Sequence, residues 1–141
     1  MNEPVGLLDT NVILRYIMQD HPAHSEASNQ FFARIERREI TVRLLDTVVF
    51  ESVFTLGKLF ELPRPIIAEA MSGILTHPGI ELPGKEIYPE VFDLWVNTKR
   101  LSFADAFHLV ATKKLGLDRI ISFDRGLRGV PGVTRVEPPL A

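Results

Sequence analysis

Val5-Gly6-Leu7-Leu8-Asp9-Thr10-Asn11-Val12-Ile13 is the stretch whose reading decides the fold. A short apolar run stops on an acid, and helical spacing then carries from Val12 to Met18. An apolar run of this length, bounded by a polar residue, reads as a buried strand, and the change of period marks a strand-to-helix turn. Asp9 therefore stands at the carboxyl end of a strand, the end beyond which open α/β sheets bind their ligands.

Outward from this turn the two periods keep alternating. His21-Pro22 breaks the chain. The spacing then predicts a long helix over Pro22 to Arg38 that buries Ala27, Phe31, Phe32 and Ile35. Glu39 to Val42 reads as a strand, and Asp46 is placed to start a helix reaching Phe60. Leu62-Pro63-Arg64-Pro65 opens a further helix over Ile66 to Leu75. The turn His77-Pro78-Gly79 leads into a strand from Ile80 to Leu82. Helices follow over Lys85 to Asn97 and over Phe103 to Leu115, the latter stopped by Gly116. Strands from Arg119 to Ser122 and from Val133 to Val136 close the series before Glu137-Pro138-Pro139. Strands alternating with helices imply an α/β fold whose central sheet is mainly parallel and flanked by helices. Its crossovers are then right-handed.

The chain has 141 residues, enough for one enclosed core, so a single domain over residues 1–141 is expected. Hydrophobic residues at 45% and charged residues at 24% are those of an ordinary globular protein. No cysteine is present, which excludes disulfides, thiolate zinc sites and cysteine nucleophiles. No signal-peptide pattern and no membrane-length apolar run appear, so a cytoplasmic place with no membrane association is expected. The formal net charge of −2 gives no general attraction for nucleic acid. A nucleic-acid substrate would require basic residues gathered on one face, or metal ions that supply the charge. Arg15, Lys99, Arg100, Arg125 and Arg128 are candidates for such a rim.

Among the acids, Asp9 and Asp124 both follow predicted strands. Each also has a local structural use, Asp9 as a helix N-cap and Asp124 as a turn residue before Arg125-Gly126. Asp105 sits in Ser102-Phe103-Ala104-Asp105, the spacing of a capping box with Asp in place of the usual Glu or Gln. Glu51 lies between Val48-Val49-Phe50 and Val53-Phe54, either in a cleft or as a solvated residue helped by Lys58. Carboxylates brought to one strand-end face would repel, and a hard divalent cation is the usual compensation. Oxygen-only ligands favour Mg²⁺ or Mn²⁺, which activate water and stabilise departing oxygen in phosphodiester hydrolysis.

Four segments carry a resemblance. Leu7-Leu8-Asp9-Thr10-Asn11-Val12-Ile13-Leu14-Arg15-Tyr16 resembles the opening of PIN domains, especially VapC-type toxins. Val49-Phe50-Glu51-Ser52-Val53, Ser102-Phe103-Ala104-Asp105-Ala106-Phe107-His108 and Ile121-Ser122-Phe123-Asp124-Arg125-Gly126-Leu127 resemble their later acidic segments, in the same order. Val130-Pro131-Gly132-Val133 is similar to their tail. The resemblance implies a PIN-like fold and a Mg²⁺- or Mn²⁺-dependent endoribonuclease, with Asp9, Glu51, Asp105 and Asp124 as catalytic and metal-binding acids and Asn11 and Ser122 as supporting residues. It further implies an RNA substrate, a homodimer and an inhibitory antitoxin partner. Arg125-Gly126 follows Asp124 where some PIN proteins offer a further acid, which leaves open whether one metal or two are held.

His108 shares a helix face with Asp105 and reads as a partly buried structural residue rather than one touching RNA. His21, His24 and His77 receive no role, and Trp95 fits a core or dimer position beside Phe92 and Val96. A haloacid-dehalogenase-like phosphatase needs a second Asp where Asn11 stands, and a lysine that Leu117 to Phe123 lacks. A receiver domain needs a phosphorylatable Asp with a late lysine, and no such pair is found. The remaining alternative is an inactive PIN-like module that binds RNA or protein.

Overall fold

Thr10–Met18 forms the first helix, α1, directly after the Asp9 turn, and the computed structural model describes residues 3–140. The chain divides into two compact units, residues 1–85 and 86–141.

The first unit is built around three short parallel lines of backbone. Residues 5–8 run beside strand β1 (Val42–Arg43), with Val5 N–H donating to Thr41 O at 2.9 Å and Leu8 N–H to Arg43 O at 2.9 Å. The expected first strand is thus present as a parallel bridge between Leu7 and Arg43. β1 pairs in parallel with β2 (Ile80–Glu81), in the register Val42↔Ile80 and Arg43↔Glu81. Arg43 and Glu81 form an ion pair across this ladder. Four helices carry the crossovers: α1, α2 (Pro22–Glu36), α3 (Asp46–Lys58) and α4 (Arg64–Leu75).

In α2 the buried stripe differs from the expected one. Phe32 and Ile35 are buried as predicted, but Ala27 is exposed and Phe31 only half-buried. Ser25 and Ser28 complete the buried face instead. Small side chains on that face let α2 approach α1, and Ser25 Oγ donates to Arg15 O at 2.9 Å. Hydrophobic pattern alone passes over such a contact because it scores serine as polar. His21 also acquires a role: it caps α2, its Nδ1 accepting from His24 N–H at 3.0 Å. Ile13, Leu44, Val49, Leu56 and Met71 form the fully buried centre of this unit.

In the second unit the expected helix from Lys85 begins only at Tyr88, after a single 3-10 turn at Lys85–Ile87. Pro89 in the first turn of α5 (Tyr88–Asn97) accounts for this, since its fixed φ and missing N–H suit a helix start. α6 (Phe103–Lys114) packs on α5, and Trp95 lies edge-on to Phe103 at 5.4 Å, a core position. Gly116 at φ +76° ends α6 as predicted. β3 (Arg119–Ile121) pairs in parallel with β4 (Thr134–Val136). Leu101, Leu109, Leu127, Val130 and Val133 make a small core between α6 and the loop that joins these strands. Every strand pairing among the described residues is parallel, as the alternating pattern required, but the strands are short and form two two-stranded sheets in place of the one central sheet expected.

Candidate functional site

Asp9 occupies the N-cap position of α1 in extended backbone, φ −91° and ψ 156°, yet its side chain makes no capping hydrogen bond. The structural use open to this residue is therefore not taken. Its exposed carboxylate borders a cleft of about 450 Å³ whose other walls include Val5, Leu7, Val12 and Phe31. The neighbouring Thr10 Oγ1 is buried without a hydrogen-bond partner. Asn11 is exposed on the first turn of the same helix.

Glu51 projects from the middle of α3 and is exposed. Its neighbour Ser52 is fully buried, its hydroxyl donating to Val48 O at 2.7 Å. The boundary between the buried and open faces of α3 thus runs beside Glu51. No ion pair joins Glu51 to Lys58 among the described residues.

The two acids of the second unit are built differently. Ser102 and Asp105 form a complete capping box at the start of α6: Asp105 N–H donates to Ser102 Oγ at 3.0 Å, and Ser102 N–H donates to Asp105 Oδ2 at 3.1 Å. Asp124 caps a 3-10 turn at Arg125–Leu127, its Oδ1 accepting from Gly126 N–H at 2.8 Å. Asp124 N–H in turn donates to Ser122 Oγ at 3.0 Å. Each carboxylate thus commits one oxygen to local backbone, which restrains its rotamer, while the other oxygen takes no hydrogen bond among the described residues.

Asp105, Asp124, Ser122 and His108 line one open cleft of about 440 Å³. The structure therefore brings together two of the four acids and one supporting residue. His108 corrects the sequence reading: it is exposed on the cleft wall, not partly buried. Its three-residue spacing from Asp105, already visible in the sequence, is what puts it on that wall.

Among the described residues no group of three or more His, Asp or Glu side chains is gathered to hold a metal ion. The donor chemistry of the cleft nonetheless suits a hard cation. Mg²⁺ keeps several waters and typically takes only one or two carboxylates besides substrate phosphates. Asp105 and Asp124 offer such a pair, each with an uncommitted oxygen.

The profile of the PIN domain matches residues 6–133 of the chain. The chain belongs to the PIN-domain family. The matched range spans both compact units and includes Asp9, Glu51, Asp105 and Asp124. The chain is also similar to a VapC ribonuclease of Aquifex aeolicus (strain VF5), 26% identical over 132 residues, covering 94% of this chain and 96% of that protein. No helix among the described residues is long and apolar enough to cross a membrane.

Proposed function

We propose that this single PIN domain is a metal-dependent endoribonuclease that hydrolyses RNA phosphodiester bonds, and that it is the toxin of a VapBC-type toxin–antitoxin pair. The observation that carries the reading is the cleft of the second unit, where Asp105 and Asp124 are each anchored through one oxygen and open at the other. Family membership and end-to-end similarity to a VapC ribonuclease support it. A cytoplasmic homodimer held inactive by an antitoxin belongs to the same proposal.

In this mechanism Asp9, Glu51, Asp105 and Asp124 are the metal-binding acids. Bound Mg²⁺ or Mn²⁺ would supply Lewis acidity toward the phosphodiester and make a bound water nucleophilic near neutral pH. The protein's part is to hold its own carboxylate oxygens in place, where they would receive the ion. The capping box does this for Asp105, and the Gly126 N–H does it for Asp124. Ser122 holds the Asp124 backbone, and Asn11 offers an exposed amide beside Asp9. His108 presents an exposed imidazole on the cleft wall, available to a substrate phosphate or base. No nucleophilic side chain is required.

The test is cleavage of a structured RNA mixture by the purified protein in Mg²⁺ or Mn²⁺ against EDTA. Cutting that needs the metal and disappears in Asp9→Asn supports the proposal. Cutting that persists in EDTA would refute metal dependence. Absence of cutting, in protein verified free of any bound antitoxin, would favour the inactive binding module.

A further inference from the structure

Arg100 was a candidate for a phosphate-facing rim, but its guanidinium is committed elsewhere. Arg100 Nε donates to Gly126 O at 2.9 Å, and Arg100 Nη2 donates to Arg128 O at 2.5 Å. Both acceptors belong to the loop that presents Asp124. Gly126 is consequently gripped from two sides: its N–H is held by Asp124 Oδ1 at 2.8 Å, and its carbonyl by Arg100.

The other end of this grip lies at the start of α6. Leu101, next to Arg100, is buried in the same core cluster as Leu127 of the Asp124 loop. Ser102, one residue further, opens the capping box that holds Asp105. The short run from Arg100 to Ser102 therefore touches the mountings of both carboxylates. A Cβ on Gly126 would press on Asp124 Oδ1 at 3.1 Å, and Gly129 adopts φ +76°, a conformation that L side chains rarely take.

We infer that Arg100 is a positioning residue, a clasp that fixes the Asp124 loop against the start of α6 and so sets the relation between Asp124 and Asp105. The inference rests on the reading of those two acids as metal ligands. In this role Arg100 acts through the loop it holds, not on metal or substrate directly. A planar guanidinium suits the task because its fork reaches two carbonyls at once, whereas an ammonium offers a single point of charge.

The experiment compares full-length wild type, Arg100→Ala and Arg100→Lys by amide hydrogen exchange, Mn²⁺ titration and RNA cleavage. In Arg100→Ala the Gly126 and Leu127 amides are expected to exchange about tenfold faster or more, while the amides of Leu109 and Val110 inside α6 keep their rates. Mn²⁺ affinity is expected to fall about tenfold, with kcat/KM falling in step. Arg100→Lys should restore part of each effect. Unchanged exchange at Gly126, or a uniform rise across α6, would overturn the clasp. Faster exchange at Gly126 with unaltered Mn²⁺ affinity would overturn its link to the site. Wild type that neither binds Mn²⁺ nor cuts RNA would refute the function proposed above, and that link with it. The exchange rates would then still decide whether Arg100 holds the loop.

Discussion

The acids of the two units meet the backbone in opposite ways. In the second unit, Asp105 and Asp124 are tied into a capping box and a 3-10 turn. In the first unit, Asp9 leaves its capping position unused, and Glu51 stands exposed on α3. A carboxylate that holds its own backbone is preorganised, and its loss has structural as well as chemical consequences. A carboxylate without that tie is not needed to hold its own backbone, so its loss acts chiefly on the chemistry. Substitutions in the two units should therefore separate activity from stability.

The largest effect is expected where the separation is cleanest. Asp9→Asn should lower RNA cleavage by about 100-fold or more while leaving the melting temperature unchanged, because it removes charge at the proposed metal and no capping bond. Asp105→Ala should lose cleavage similarly and also destabilise the protein, by up to about 1 kcal/mol, because it removes the N3 half of the capping box. Ser102→Ala supplies the third corner: a similar loss of stability with most of the cleavage kept. Thermal melts beside initial cleavage rates check all three. A fall in melting temperature for Asp9→Asn as large as that for Asp105→Ala would break the contrast.

A smaller effect sharpens the same comparison from the structural side of the second unit. Glu90 on α5 pairs with Lys113 at 2.9 Å and Lys114 at 3.5 Å on α6. The hydrogen bond from Lys113 and the charge of both lysines hold the Glu90 carboxyl below its ordinary range. A lowered folded-state pKa means stability that is present above the unfolded value of 4.5 and is lost as pH falls through the folded value. Glu90→Gln should therefore cost a few tenths of a kcal/mol near neutral pH, as exposed pairs do, and that difference should shrink as pH falls below 4.5 and through the lowered folded value. Denaturant melts at neutral and at strongly acidic pH measure it, and RNA cleavage at neutral pH should be unaltered.

Much of this architecture is legible in the chain. Strand-to-helix turns at Asp9 and near Asp124 announce a parallel α/β arrangement, and Ser102-Phe103-Ala104-Asp105 spells out the capping box that the structure contains. The features that escaped are those in which polar atoms do structural work. Ser25 and Ser28 bury a helix face that apolar spacing assigned to Ala27 and Phe31. His21 caps a helix through a ring nitrogen, which composition does not suggest. Arg100 reads in sequence as one more surface cation, and only its two carbonyl acceptors, 26 and 28 residues further along the chain, reveal the clasp. Contacts at such separations leave no periodic trace.

The most direct test of the central claim is a Mn²⁺ titration of the purified protein, followed by calorimetry, in wild type, Asp9→Asn and Asp105→Asn. The account predicts a saturable site in wild type that is weakened or lost in both variants while their folds persist. Undiminished Mn²⁺ binding in both, or no saturable site in the wild type, would contradict it.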